Sequence, residues 1–88
     1  MTTVYKYPLG FKDSQEIHLP KDAIPLSVQL QHGNLTLWCL VDTTLPIEVR
    51  IVDIRGTGES LSYEPGLYVG TVQVGAFVWH VFMKHQEG

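Results

Sequence analysis

The amino-acid sequence predicts an all-β fold: a small antiparallel β-sandwich or barrel of about seven short strands, without a substantial helix. Apolar and polar residues alternate along most of the chain, which is the pattern of half-buried strands. Turn residues separate these segments at short intervals. The one candidate helix start, at Ser14 to Glu16, lies too close to Pro20 and Pro25 for a long helix to follow.

Length and composition point to one small domain, residues 1–88. Of its 88 residues, 44% are apolar and 17% are charged, which fits a folded chain with a modest core. We expect residues 82–88 to form a polar C-terminal tail. A net charge of -3 provides no electrostatic footprint for nucleic acid, so no direct nucleic-acid partner is expected.

The compartment is inferred from three features of the sequence. The single cysteine, Cys39, cannot form a disulfide within the chain. The N-terminal segment MTTVYKYPLG lacks the pattern of a secretory signal. No apolar run approaches the roughly 18 residues of a membrane helix. These features favour a reduced, cytosolic compartment and no membrane partner.

Strands in the first half of the chain are predicted from alternation and turn residues. VYKYPL and QEIHLP are two short candidates, and SVQLQ alternates cleanly. The next residues, HGN at 32–34, predict a hairpin turn because Gly and Asn tolerate positive φ. LTLWCLV follows with apolar residues on both faces, which indicates a central strand.

Strands in the second half include one with an unusual pattern. In IEVRIVDIR the apolar set changes side between Ile51 and Val52, which predicts a β-bulge or a strong twist. GLYVGTVQVG and AFVWHVFM then predict a second hairpin around Gly75.

An anion site is the first functional hypothesis. Arg55 precedes the turn Gly56, Thr57 and Gly58, whose amides and guanidinium could hold an anion. The longer glycine pattern of a phosphate-binding loop is absent, and Glu59 adds the wrong charge. The alternative is a strand that ends in a tight turn.

A catalytic site is not expected, and neither is a metal or another cofactor. Cys39 lies inside LWCLV, which favours a small buried side chain over a reactive thiolate. The four histidines show no paired spacing typical of zinc ligands. His80, in FVWHVF, is predicted to be a hydrogen-bonded histidine of the core or of an interface. We therefore expect a protein that is not an enzyme.

Aromatic residues supply the interface candidates, which are Tyr5, Tyr7, Trp38 and Trp79 together with His80. Tyr5 and Tyr7 share one face of the first strand. Without basic neighbours such a stripe more often covers a core or an interface than stacks nucleic-acid bases. The surplus of apolar faces favours a partner surface or a homo-oligomer such as a dimer.

The motifs KYPL, LSVQLQHGNLTLWCLVD, IRGTG and YVGTVQVGAFVWHVF occur in this order. Together they resemble a family of small proteins that tailed bacteriophages and prophages encode, catalogued as a domain of unknown function. The resemblance runs from Tyr5 to Phe82. It departs at Cys39, where Ala is expected, and at Glu59-Ser60, where His-Pro is expected. It implies a compact β fold and a phage origin, but no catalytic residue.

These observations lead to an expected function in the host cell cytoplasm. The main hypothesis is a non-enzymatic phage accessory protein that binds and inhibits a host protein or an antiviral-defence complex, for example of the CRISPR type. One alternative is a sponge that binds a nucleotide immune signal through Arg55 and the residues Gly56 to Gly58. The other is a minor structural or assembly protein of the virion.

Overall fold

The computed structural model describes residues 1–60 and 65–85, and these form seven antiparallel strands in two sheets. The predicted all-β class is confirmed, and the architecture is consistent with a small sandwich, since neither sheet closes into a barrel. The strands are β1 (Thr2–Pro8), β2 (Ser14–Pro20), β3 (Ile24–Gln31), β4 (Asn34–Asp42), β5 (Ile47–Gly56), β6 (Leu67–Val74) and β7 (Phe77–His85).

The three-stranded sheet has the order β1-β4-β3, so the strand predicted to be central is central. β3 and β4 form the predicted hairpin, in which Gln31 pairs with Asn34. His32 and Gly33 have φ values of 52° and 78°, as a two-residue type I′ turn requires. The pairing of β3 with β4 shifts register between Pro25 and Ser27, which is a β-bulge near the start of β3.

The four-stranded sheet has the order β2-β5-β7-β6. The predicted hairpin around Gly75 joins β6 to β7, with Val74 paired to Phe77. The segment Ser14 to Glu16 belongs to β2 and pairs with Asp53 to Ile51 of β5, so it is a strand and not a helical turn.

The core lies between the two sheets. One face of β4 is buried completely against the other sheet, as expected for alternate residues of a central strand. Cys39 is among these residues, at 0% exposure, and the prediction that it is a packing residue is confirmed. The least exposed apolar side chains of the core are Leu19, Leu35, Leu37, Cys39, Val41, Val52, Ile54 and Val81.

Of the β-bulge or strong twist predicted in β5, the bulge is wrong. β5 pairs in continuous register with β2 and with β7 through the change of side at Ile51 and Val52. Val52 and Ile54 face the core at one end of the strand. At the other end the inward positions are Glu48 and Arg50, because they lie on the same face as Val52. The apolar pattern changes side because the interior itself changes from apolar to charged along β5.

The start predicted for the C-terminal tail, residue 82, is also wrong, because it lies within β7. β7 continues to His85, which pairs with Arg50 of β5. Met83 is a core residue, at 4% exposure. Hydrogen bonding to β5 therefore extends the strand through residues 82–85, and residues 86–88 lie outside the described part of the chain.

Candidate functional site

The five interface candidates do not share one surface. Tyr5 and Tyr7 line an open cleft of about 370 Å³ that residues of β1 and β2 border. Trp38 lies on the solvent face of the three-stranded sheet. Trp79 packs against the core, and His80 lies on the opposite side of β7. The structure therefore separates these residues into four local environments.

The tyrosine cleft is partly apolar and partly polar. Tyr5 is 45% exposed, whereas Tyr7 packs against the core. Burial raises the pKa of the Tyr7 hydroxyl, and the neighbouring Cys39 and Tyr5 add to this effect. His18 of β2 lies on the far side of the same cleft. The Tyr7 hydroxyl therefore keeps its proton to a higher pH than the hydroxyl of a solvent-exposed tyrosine does.

The solvent face of the three-stranded sheet carries a row of apolar residues. Val4, Leu40 and Ile24 lie side by side, because each outer strand pairs with β4 at Leu40. Val4 is 48% exposed and Ile24 is 54% exposed. Trp38 is half-buried on the same face, two residues along β4 from Leu40. This row and Trp38 together form the apolar face of the protein.

Trp79 contributes to packing more than to an exposed surface. Its ring centroid is 5.9 Å from that of Phe11 and 5.9 Å from that of Phe77. Phe77 stacks on it with an interplanar angle of 22°. The two phenylalanines are 51% and 65% exposed. They cover part of the indole, so Trp79 closes one end of the core.

His80 is held by hydroxyl groups at both ring nitrogens. Its Nε2 lies 2.7 Å from Thr57 Oγ1, and its Nδ1 lies 3.0 Å from Thr71 Oγ1. The Tyr68 hydroxyl lies 2.6 Å from the same Thr71 oxygen. The predicted hydrogen bonds of His80 are present, but the residue lies on the outer face of the four-stranded sheet and not in the core. Its role in an interface stays a prediction. Sequence reasoning missed Thr71 and Tyr68, since only the pairing of β6 with β7 brings them to His80.

Thr57 Oγ1 and His80 Nε2 are as close to each other as a nucleophile and its general base are in an active site. In a catalytic triad the third group is a carboxylate that stabilises the imidazolium. Here the third group is the Thr71 hydroxyl, which carries no charge. The arrangement works as a hydrogen-bonded network, and the expectation that the chain is not an enzyme stays a prediction.

Several hydrogen-bond donors in and beside the glycine turn have partners within the fold. Arg55 donates to the carbonyl oxygens of Asp13 and Ile54. The amide of Thr57 donates to the carbonyl of Val78 at 3.2 Å. A hydrogen bond from the Glu59 amide to Gly56 closes the turn, and Gly58 has a φ of 87°, as in a type II turn. The anion site at Arg55 to Gly58 stays a prediction, and these donors already have partners.

Cys39 has the electrostatics of a buried thiol. Burial raises its pKa from 9.0 to about 11, which outweighs the lowering effect of Arg50. A thiol of this kind is almost entirely protonated near neutral pH. The structure therefore gives Cys39 no thiolate character.

A group of buried charges was not identified from the sequence. Arg50 and Asp53 are 8% and 0% exposed. Arg50 Nε lies 3.2 Å from Glu48 Oε1, and Lys84 Nζ lies 3.7 Å from Asp53 Oδ2. Such residues are usually exposed, and alternation alone placed some of them on polar faces. Arg50 is buried on the inner face of β5, whereas Asp53 is buried on the opposite face, where β2 and β7 pair on either side of it.

Within residues 1–60 and 65–85, no group of three or more His, Cys, Asp and Glu side chains is placed to hold a metal ion. The same residues include no helix that is long and apolar enough to cross a membrane.

The profile of one protein family, described as Domain of unknown function (DUF7352), matches residues 1–88. The chain belongs to this family. The match covers the whole sequence, so all seven strands described above lie within the DUF7352 domain. No curated protein matched the sequence. No solved structure matched it either.

Proposed function

We propose that this DUF7352 protein is a phage-encoded accessory protein that binds and inhibits a host protein or an antiviral-defence complex in the host cytoplasm. The observation that carries the proposal is the apolar face of the three-stranded sheet. Val4, Leu40, Ile24 and Trp38 lie together there on the solvent side. Contiguous exposed apolar residues of this kind are typical of interaction surfaces.

The composition of the apolar face fits a protein partner. A half-exposed tryptophan is the residue type most often found at the energetic centre of an interface. Lys6 lies beside Trp38 on the same face, and its Nζ is 2.8 Å from Gln31 Oε1. An apolar centre with a polar border is the usual anatomy of a protein interface. Val4 and Ile24 are about half exposed, so their burial by a partner would contribute about 0.7–1.5 kcal/mol each.

The test is phage growth on bacteria that carry a defence system. The wild-type chain, expressed in cells with a CRISPR-type system, should restore plaque formation. Val4→Asp should abolish this effect, because it places a charge within the proposed contact, next to Leu40. Val4 is half-exposed, so the variant should keep its melting temperature.

Gln29→Asp is the matched control, because it adds the same charge to an exposed position of the same sheet, beside Thr36 and away from Leu40. It should inhibit defence as well as the wild type does. Equal activity of Val4→Asp and the wild type would contradict the proposed surface. Failure of the wild type against every defence system of its host would contradict the proposed inhibition.

The nucleotide sponge is an alternative that the contacts of Arg55 support less well. Its guanidinium already donates to two carbonyl oxygens. If a nucleotide binds there, Arg55→Ala should lose it while Thr57→Ser keeps it. Equilibrium dialysis with a labelled cyclic nucleotide measures this difference, and equal binding by wild type and Arg55→Ala would rule this site out.

The virion component is the other alternative. A structural protein should be present in purified phage particles at a fixed copy number, whereas an accessory protein should be absent. Mass spectrometry of particles separated on a density gradient distinguishes the two roles.

A further inference from the structure

A cavity of about 430 Å³ opens between the two sheets at one end of the sandwich. Its walls come from the start of β3, the start of β6 and the end of β7. The volume lies within the range of small-molecule sites. Apolar side chains form most of the wall, and Arg50 reaches it from the interior. Lys84, which forms an ion pair with Asp53, also lines the cavity. Ile24, Pro25, Leu67 and Met83 belong to the apolar part of the wall, and His85 also lines the cavity.

Arg50 is buried against this cavity, with its side chain 9% exposed. Both of its Nη atoms donate to one oxygen, the carbonyl of Ala23, at 3.2 and 3.4 Å. Its Nε faces Glu48 Oε1 at 3.2 Å as an ion pair, but neither atom has a partner with hydrogen-bond geometry. A guanidinium has five N–H donors. Two Nη–H donors therefore have no partner among the described residues.

A buried polar group without a partner costs about 1–3 kcal/mol, and Nε is the atom of Arg50 that is buried without a hydrogen bond. The Ala23 carbonyl uses the two Nη–H bonds that point in parallel, so the remaining two diverge. One of them can donate a single charge-assisted hydrogen bond to a carboxylate oxygen in the cavity. Glu48 already balances part of the charge of Arg50. One further negative charge is therefore accommodated better than two, which favours a carboxylate over a phosphate dianion.

The apolar wall selects the rest of the ligand. Ile24, Pro25, Leu67 and Met83 surround the space in front of Arg50. Leu67 is 68% exposed, so it lies where a ligand would enter. His85 Nδ1 is 3.9 Å from Glu48 Oε1, and its side chain is 68% exposed. This histidine lies at the border of the site and not at its base.

We propose that the cavity between the sheets binds a small amphiphilic carboxylate, with the carboxylate on Arg50 and an apolar body against Ile24, Pro25, Leu67 and Met83. This site is separate from the proposed partner surface, apart from Ile24, which borders both. The alternative is that Arg50 only fastens the segment before β3 to β5 through the carbonyl of Ala23.

Octanoate is the probe for this site, and octylamine is its control with the same chain and the opposite charge. The chain has two methionines, so methyl-labelled protein gives two resonances. Met83 lines the cavity, and Met1 does not. Octanoate should shift the Met83 resonance with saturation and leave Met1 unchanged. Octylamine should bind at least about tenfold more weakly, because its charge repels Arg50.

The matched variants are Leu67→Glu and Leu67→Lys, which place opposite charges at the exposed entrance. Leu67→Glu should weaken octanoate binding at least about fivefold relative to Leu67→Lys. Arg50→Met should abolish binding, and if this variant fails to fold, the Leu67 pair decides. Equal shifts with octanoate and octylamine would overturn the proposal, as would equal affinity of the two Leu67 variants. No saturable shift of Met83 would overturn it as well.

Discussion

At the scale of single residues, the thiol of Cys39 links folding to pH. The folded protein holds the thiol proton to about pH 11, whereas an exposed thiol loses it near 9.0. Between these values the unfolded chain releases a proton that the folded chain retains. The contribution of Cys39 to stability is therefore complete below about pH 9 and is lost as the pH rises toward 11.

We expect the free energy of unfolding to fall by up to about 2 kcal/mol from this source between pH 8.5 and pH 11. Cys39→Ala should remove this part of the decline, although it leaves a small cavity and lowers stability at pH 8 by about 1 kcal/mol. Urea unfolding of both proteins at several pH values measures the difference. Parallel pH profiles for wild type and Cys39→Ala would contradict a raised pKa.

The His80 network gives a second prediction for single residues. Thr71→Val removes the hydroxyl that contacts both His80 and Tyr68. Thr71 and Tyr68 are exposed, so water replaces part of what is lost, and we expect a destabilisation of about 0.5–1 kcal/mol. Thr71→Ser keeps the hydroxyl and should unfold near the wild-type midpoint. The ¹⁵N resonances of the imidazole should move in Thr71→Val only; if they move equally in both variants, the hydrogen bond is not their cause.

At the scale of strands and turns, we expect substitution by alanine to affect stability differently at Gly66 and at Gly33. A Cβ atom at Gly66 would lie 2.2 Å from the carbonyl oxygen of Met83, which is backbone of β7. A Cβ at Gly33 would meet nothing within 4 Å, but φ there is 78°. Gly66→Ala therefore requires the chain to move away from β7, whereas Gly33→Ala costs only backbone strain.

We expect Gly33→Ala to lose about 1–2 kcal/mol of stability and Gly66→Ala to lose more than about 3 kcal/mol or to fail to fold. Thermal unfolding followed by circular dichroism compares the two variants with the wild type. Gly66→Ala with a melting temperature equal to or above that of Gly33→Ala would show that Gly66 is not in close contact with β7.

The strands and hairpins could be predicted because their cause is local. Alternation marks β3 and β4, and the turn between them needs positive φ at His32 and Gly33. The pairing of β1 with β4 could not be predicted, because their residues are far apart in the sequence. Sites built across such pairs were missed for the same reason: Arg50 and its cavity depend on β3, β5, β6 and β7 together.

At the scale of the whole molecule, each sheet needs the other. Each buries one apolar face between them, and the chain passes between sheets after β1, β2 and β4. If the sheets separated, the apolar inner face of each would be exposed to water. We therefore expect one cooperative unfolding transition. Pairing of strands distant in sequence also favours folding in milliseconds to seconds.

The two tryptophans test this cooperativity, because Trp38 lies in the three-stranded sheet and Trp79 in the four-stranded sheet. Trp38→Phe and Trp79→Phe each leave one fluorescent reporter. In each variant, the fluorescence midpoint in urea should equal the midpoint measured by circular dichroism. A fluorescence transition that precedes loss of secondary structure in either variant would show that one sheet unfolds first.

The change from an apolar to a charged interior along β5 affects which substitutions the protein can accept. Val52 and Ile54 can be exchanged one at a time for apolar residues of similar volume. Glu48 and Arg50 form one ion pair, so a change at either leaves a buried charge without its counterpart. Across relatives of this chain, positions 52 and 54 should therefore vary independently, and positions 48 and 50 should change together.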